Sequence, residues 1–153
     1  MPTTSINSIL LVEDSPRDAE MTLDALAQNN IANEVVHLRD GADALDYLYR
    51  RGEFAGRTND QPAVILLDLK MPRVDGLEVL RQIKGDPALK TIPVVIMTSS
   101  REESDLTQSY ALGVNAYVVK PVQFLEFVEA VKQLGAFWAV LNEPPPQSER
   151  SRS

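Results

Sequence analysis

Four short apolar segments of this chain each end in residues that can do polar chemistry. Three carboxylates, one hydroxyl and one ammonium follow these segments: Glu13, Asp14, Asp68, Thr98 and Lys120. A carboxylate can act as a nucleophile toward phosphorus, and phosphoryl transfer otherwise requires mainly positioning and neutralisation of charge. Acids that can hold a cation, together with donors for phosphate oxygens, are therefore the groups of a phosphoryl-accepting site.

The pattern of apolar residues predicts the elements that must position these groups. Strand-length apolar segments alternate with stretches of helical period, which favours right-handed βαβ units and a parallel sheet. We predict strands near 7–13, 34–38, 63–68, 93–98 and 115–119. The first, third and fourth are apolar throughout, as expected of inner strands that are covered by helices on both faces.

Capping residues indicate where the helices begin and end. Candidate N-caps are Ser15 before Pro16, then Asp40, Asp75, and Ser100 in a capping box with Glu103. The predicted helices begin near 16 and then cover 41–50, 76–84, 101–112 and 122–141. Gly113 is expected to end the fourth helix in a left-handed conformation.

The length and composition of the chain indicate one domain. Its 153 residues are 44% hydrophobic and 24% charged, which is ordinary for a globular protein. We expect a flexible N-terminus over 1–5, one domain over 6–141 and a disordered tail over 142–153, which has little apolar surface to bury. Segment 51–61 is long for a connection in this fold class and is expected to be a mobile surface loop.

Charge and residue usage exclude several classes of protein. A net charge of −7 without a basic cluster argues against nucleic-acid binding, and the absence of cysteine excludes disulfides and thiolate chemistry. No apolar run has the length of a membrane span and no signal peptide is visible, so we expect a cytoplasmic protein. His37, the single histidine, is expected to be a surface residue of an edge strand rather than a ligand or phosphocarrier.

The three acids are expected to converge. In an open parallel sheet, ligands bind outside the carboxyl ends of the strands where the strand order reverses, which places Glu13, Asp14 and Asp68 together. Carboxylates this close repel one another, so either one is protonated or a cation lies between them. Oxygen ligands favour a hard ion such as Mg²⁺. Asp68 could then attack a phosphoryl group while Lys120 and Thr98 donate to its oxygens.

The chain resembles the receiver domain of two-component response regulators. The matching motifs are Glu13-Asp14, Asp68-Leu-Lys-Met-Pro-x-x-Asp-Gly76, Met97-Thr98-Ser99 and Tyr117-Val-Val-Lys120-Pro121. They occur in the family's order and spacing, and the resemblance covers about residues 6–141. It implies an α/β, flavodoxin-like, doubly wound sheet of five parallel strands in the order 2-1-3-4-5 with five helices. It also implies that Asp68 accepts a phosphoryl group from the phosphohistidine of a sensor histidine kinase.

The resemblance also implies how a metal is held. Mg²⁺ would be bound by Asp14, Asp68 and the backbone carbonyl of Lys70, with Glu13 acting through water. The peptide between Lys120 and Pro121 would be cis. Many receivers carry two aspartates where this chain has Glu13 and Asp14, so the longer side chain would alter the water shell of the metal.

The family's switch and its partners are implied in the same way. Thr98 would move toward the phosphate and Tyr117 would change rotamer, which reshapes the face formed by helix 101–112, strand 115–119 and the last helix. Segments 14–20 and 51–61 resemble the single-domain regulators that partner bacterial and cyanobacterial phytochromes. A bacteriophytochrome-type kinase is therefore the expected partner, and without an output domain the switched face would carry the signal.

The end of the last predicted helix is apolar on nearly every side. Its core-facing stripe includes Trp138, while Phe137 and Val140 fall on the otherwise polar side, next to Leu141. An exposed apolar patch of this kind marks an interface, so we expect a homodimer through these residues. The alternative is that this end folds back onto its own domain.

Other functions compatible with a similar fold are disfavoured by particular residues. A haloacid-dehalogenase-type phosphatase would carry a second aspartate two residues after the nucleophile, where this chain has Lys70. A nucleotide- or flavin-binding module would need a loop rich in Gly, Ser or Thr after the first strand, whereas this loop is acidic. A degenerate receiver that only docks partners would not need all five chemical groups. We therefore do not expect an enzyme that acts on outside substrates, but a receiver that catalyses only its own phosphorylation and dephosphorylation.

Overall fold

Five strands form one parallel sheet in the computed structural model. The structure describes residues 8–28, 34–58, 60–69, 71, 74–98, 109–114 and 116–119. The strands are β1 (Ser8–Val12), β2 (Glu34–Leu38), β3 (Val64–Leu67), β4 (Val94–Thr98) and β5 (Ala116–Val119). Each neighbouring pair is parallel and the order is β2-β1-β3-β4-β5, which confirms the predicted fold class and strand order.

The inner strands are buried on both of their faces. Successive side chains of a strand point to opposite sides of the sheet, and every residue of β1 and β3 is buried. One side packs against α2 (Gly41–Tyr49) and α3 (Gly76–Gly85), and their shared core contains residues from three strands and both helices: Leu10, Val12, Ile65, Leu67, Ile96, Leu45, Leu48, Val79, Leu80 and Ile83. Burial of this apolar surface is the main stabilising contribution to the sheet.

Side-chain caps fix the first turn of three described α-helices. Ser15 Oγ accepts the Asp18 N–H at 3.2 Å in front of α1 (Pro16–Gln28). Asp40 Oδ1 accepts the Asp43 N–H at 2.8 Å, and Asp75 Oδ1 accepts the Glu78 N–H at 3.0 Å. These bonds satisfy donors that would otherwise lack an intrahelical partner, and three of the four predicted N-caps are confirmed. The fourth, Ser100, lies outside the described residues.

A left-handed glycine ends the helical residues that precede β5. Gly113 has a φ of 98°, its N–H donates to Tyr110 O, and the Val114 N–H donates to Ser109 O. This pair of bonds defines a Schellman motif, so the predicted stop at Gly113 is confirmed. Most of the predicted helix 101–112 and all of helix 122–141 lie outside the described residues, and the count of five helices stays a prediction.

The connection from α3 to β4 is held by a half-buried lysine. Lys84 Nζ donates to the carbonyl oxygens of Lys90 and Ile92, both at 3.0 Å. Burial lowers the pKa of the Lys84 ammonium, because the charged form loses solvation. The aliphatic part of the same side chain lies beside Gly113, so this lysine links the two connections on either side of β4.

Segment 51–61 contains a one-turn 3₁₀ helix, Gly52–Phe54, and is held by specific contacts. The Arg57 guanidinium lies 3.9 Å from the centre of the Tyr47 ring, and its Nε donates to the Tyr47 carbonyl at 3.0 Å. The ring of Phe54 packs edge-on against the same tyrosine. The length of the segment predicts a mobile loop, but a cation–π contact and hydrogen bonds anchor it to the end of α2. None of the helices in the described part of the chain is both long and apolar enough to cross a membrane.

Replacing Gly113 with alanine should destabilise the protein, since a side chain strains this left-handed backbone. We expect the free energy of unfolding to fall by roughly 1–2 kcal/mol. Gly85→Ala is the matched control, because an added Cβ meets nothing within 4 Å there and the residue is helical. The control should leave stability unchanged or raise it by up to about 1 kcal/mol. Urea denaturation of both variants checks this, and equal midpoints would contradict the assignment of strain.

Candidate functional site

Backbone bonds at the end of β1 place two acids side by side. The Glu13 N–H donates to Leu38 O on β2 at 3.0 Å, and the Asp68 N–H donates to Val12 O at 3.1 Å. The sheet therefore holds the end of β1 from both neighbouring strands. Because β1 and β3 are adjacent and parallel, their carboxyl ends lie together, and the strand order reverses at this point.

The carboxylate oxygens of Glu13, Asp14 and Asp68 converge. One oxygen from each residue lies within 4.8 Å of the other two. Glu13 is fully buried and Asp68 is 4% exposed, whereas Asp14 is exposed and opens the cluster to solvent. The predicted convergence of the three acids is confirmed. Mutual repulsion of three carboxylates at this separation is reduced when a cation lies among them, and oxygen ligands suit a hard divalent ion.

Main-chain groups of the β1–α1 loop orient the buried acid. Glu13 Oε2 accepts the Ser15 N–H at 3.1 Å, while Ser15 Oγ accepts the Asp18 N–H at the start of α1. Ser15 therefore connects the acid to the helix, with its backbone donating toward the cluster and its side chain capping the helix. A charge-assisted bond from a backbone N–H stabilises the ionised form of a buried carboxylate.

Two glycines allow the loop after Asp68 to take its path. A Cβ at Gly76 would lie 2.2 Å from the Asp68 carbonyl oxygen, and a Cβ at Gly41 would lie 2.1 Å from the Val74 carbonyl oxygen. The Gly76 N–H also donates to Leu69 O at 2.9 Å. The β3–α3 loop is thus packed against the first residues of both α2 and α3. Gly76 belongs to the recognised motif, whereas the positional role of Gly41 was not predicted from the sequence.

The side chain of His37 contacts the backbone of one member of the acid cluster. Its Nε2 lies 2.8 Å from the Glu13 carbonyl oxygen, and the residue is half-buried. The sequence predicts a surface residue rather than a metal ligand or phosphocarrier. Its sequence position on an edge strand carried no signal for this contact, because the contact depends on how far the ring extends past the end of β2.

The other predicted site residues are described less completely. Thr98 pairs with Val119, and Tyr117 pairs with Ile96, in the backbone register of β4 and β5. The backbone of Thr98 therefore lies at the same sheet edge as the acids. Several predicted residues lie outside the described part of the chain: Lys70, Lys120, Pro121, Phe137, Trp138, Val140 and Leu141.

The fold and the acid cluster define a class of protein. Residues 9–132 match the response regulator receiver domain family. The chain belongs to this family and is a signalling receiver domain.

Particular relatives are similar along most of their length. Response regulator Rcp1 of Synechocystis sp. is 42% identical over 130 residues, covering 85% of this chain and 87% of that protein. The structure of the bacteriophytochrome response regulator AtBRR is 59% identical with a TM-score of 0.83, covering 92% of this chain and all of that chain. The chain is thus related to the response regulators of phytochromes.

Two further solved structures bear on the chemistry of the site. A crystal structure of Rcp1 in its Mn²⁺-bound form has a TM-score of 0.73 at 39% identity, covering 92% of this chain and 99% of that chain. The structure of the phosphorylated cyanobacterial phytochrome response regulator RcpA has a TM-score of 0.72 at 42% identity, covering 88% of this chain and 94% of that chain.

Gly76→Ala should displace the loop that carries Asp68. The new Cβ would collide with main-chain atoms, which cannot rotate away as a side chain can. We expect stability to fall by roughly 1–3 kcal/mol and the affinity of the acids for a divalent ion to weaken. Gly56→Ala serves as the control, because an added Cβ there meets nothing within 4 Å. Calorimetry of both variants with and without the ion tests this, and a Gly76→Ala protein as stable as its control would contradict it.

Proposed function

We propose that Asp68 is the phosphoacceptor of this receiver and takes its phosphoryl group from the phosphohistidine of a sensor histidine kinase. The observation that carries this proposal is the convergence of Glu13, Asp14 and Asp68 at the reversal of strand order. Asp68 is nearly buried, so its carboxylate is held in place, while the exposed Asp14 leaves an approach from solvent.

Mg²⁺ is the proposed cofactor of the cluster. The chemistry of the donor set fits, since the grouped ligands are carboxylate oxygens and no cysteine is present in the chain. Asp14, Asp68 and the backbone carbonyl of Lys70 would hold the ion, with Glu13 acting through water. The ion would supply neutralisation of negative charge at the reacting oxygens. The Mn²⁺-bound form of Rcp1 supports a divalent ion in a related protein.

The residues of the chain would divide the reaction between them. A carboxylate oxygen of Asp68 forms a bond to phosphorus as the bond from phosphorus to the kinase imidazole nitrogen breaks. The Lys120 ammonium and the Thr98 hydroxyl donate to the phosphate oxygens. Hydrolysis of the acyl phosphate later returns the Asp68 carboxylate and inorganic phosphate, so the domain catalyses both its own phosphorylation and its own dephosphorylation.

The proposed partner is a kinase of the phytochrome type. The similarity to AtBRR and Rcp1, which extends over most of each chain, supports this choice. The signal would leave through the face formed by helix 101–112, β5 and helix 122–141, with Thr98 and Tyr117 as the switch residues and a cis peptide before Pro121. The protein would act in the cytoplasm, where ATP phosphorylates such kinases. It would not bind nucleic acid. Its receiver domain would span residues 6–141.

Labelling with a small phosphodonor tests the phosphoacceptor. With Mg²⁺ and acetyl phosphate, the protein should gain one phosphoryl group, because the site requires only charge neutralisation and a nucleophile. Asp68→Asn should gain none, and Asp14→Asn should be labelled at least about tenfold more slowly through loss of a charged ligand. Intact-mass spectrometry measures the product, and addition of EDTA to the wild type should abolish labelling.

Asp18→Asn is the matched control for these two substitutions. Asp18 lies in the first turn of α1, where its backbone contacts Ser15, and it is not a member of the acid cluster. It should be labelled at the wild-type rate. A phosphoryl group retained by Asp68→Asn would contradict the assignment, as would labelling that is unaffected by EDTA.

We further propose that the chain forms a homodimer through Phe137, Trp138, Val140 and Leu141. These residues leave the end of the last predicted helix apolar on nearly all sides, and association would bury them. Light scattering should give twice the 17.0 kDa chain mass. The double substitution Phe137→Glu and Val140→Glu should give a monomer, whereas Glu126→Gln on the polar side should not. A monomeric wild type at tens of micromolar would rule the dimer out.

A further inference from the structure

His37 contacts the acid cluster without belonging to it. It lies on β2, the edge strand, one residue before the end, and the register pairs it with Leu11. Its ring extends beyond that register, and Nε2 lies 2.8 Å from the carbonyl oxygen of Glu13. The side chain of an edge-strand residue therefore contacts the backbone of Glu13, the first of the three acids in the sequence.

The acceptor determines which form of the ring can make this bond. A carbonyl oxygen has no hydrogen to donate, so Nε2 must carry one. Both the neutral form protonated at Nε2 and the doubly protonated form can donate, whereas the neutral form protonated only at Nδ1 cannot. The contact thus selects a tautomer of the neutral ring and does not require the ring to be charged.

Both main-chain polar groups of Glu13 and its carboxylate are hydrogen-bonded. Its N–H donates to Leu38 O at 3.0 Å, its carbonyl accepts from His37, and its carboxylate accepts the Ser15 N–H at 3.1 Å. The peptide plane that follows this carbonyl leads directly into Asp14. Fixing the carbonyl therefore restricts the rotation that would move Asp14 away from Asp68.

We infer that His37 is a positioning residue of the phosphoacceptor site, acting through the Glu13 carbonyl to hold Asp14 in its place within the acid cluster. This inference rests on the proposed function, since it concerns the geometry of the proposed Mg²⁺ ligands. The contact of the ring is with the Glu13 carbonyl oxygen, and His37 is not one of the proposed ligands of the ion. Its contribution is to reduce the freedom of a loop whose exposed acid would otherwise have to be ordered when the ion binds.

Three substitutions of His37 separate the hydrogen bond from the packing of the ring. His37→Leu keeps apolar volume without a donor. His37→Gln places an amide nitrogen at a similar distance along the side chain as Nε2. His37→Asn keeps a polar amide but is too short to reach the carbonyl. Glu34→Gln, an exposed change on the same strand, is the control for altered charge on β2.

Mg²⁺ affinity of the unphosphorylated protein is the first readout. Titration calorimetry should show Kd raised about two- to tenfold in His37→Leu and His37→Asn, the range expected for loss of one hydrogen bond. His37→Gln should lie within about twofold of wild type, as should Glu34→Gln. With acetyl phosphate, His37→Leu should need more Mg²⁺ for half-maximal labelling but reach nearly the wild-type plateau, because saturating ion orders the loop. A purely structural role would lower the melting temperature without this shift in Mg²⁺ dependence.

The outcomes distinguish this inference from the proposed function. If the wild type itself binds no Mg²⁺ and takes no label, the proposed function fails. If the wild type binds and His37→Leu binds equally well, or His37→Gln is as weak as His37→Asn, only the positioning role is overturned. If His37→Leu does not fold, long-range proton–nitrogen NMR on the wild type decides the matter. A neutral ring protonated at Nε2 supports the contact, and one protonated at Nδ1 overturns it.

Discussion

The site depends on holding three carboxylates together against their mutual repulsion. At about 4 Å, two like charges repel by roughly 1 kcal/mol in water and about 4 kcal/mol near a protein surface. Glu13, Asp14 and Asp68 lie within 4.8 Å of one another, and two of them are buried. The sheet offsets this cost through the backbone bonds that tie β1 to β2 and β3. The cluster is consequently ready for a divalent cation, because binding the ion relieves a repulsion that the fold has already imposed.

The loop that carries Asp68 shows how closely the site is joined to the core. Gly41 and Gly76 let the first residues of α2 and α3 approach carbonyl oxygens of this loop to distances at which no side chain fits. Both helices also pack on the face of the sheet that contains Ile65 and Leu67. A change in the loop therefore cannot be absorbed locally and must be shared with the helices, since close-packed interiors transmit small displacements. This mechanical connection is a physical basis on which a modification at one carboxylate can alter more distant surfaces of a receiver.

The edge strand β2 helps to position the acid cluster. His37 donates to the Glu13 carbonyl, and Leu38 accepts from the Glu13 N–H, so an edge strand fixes both main-chain groups of a cluster residue. Segment 51–61, anchored by Arg57 on Tyr47, is likewise integrated with the end of α2. Length alone predicts a mobile surface loop, but the planar guanidinium satisfies main-chain carbonyls and covers an aromatic ring at once.

The sequence by itself determined the parallel sheet, the caps at Ser15, Asp40 and Asp75, the left-handed stop at Gly113 and the three acids. These features follow from local rules: apolar period, capping chemistry and the convergence of strand ends in a parallel sheet. Only the tertiary structure decided the roles of Gly41, His37 and Arg57. Each of these acts on a group distant in the chain, Val74, Glu13 or Tyr47, and the distance between such groups is set by how strands and helices pack. Residue type reports what a side chain can do, whereas packing selects the partner with which it does so.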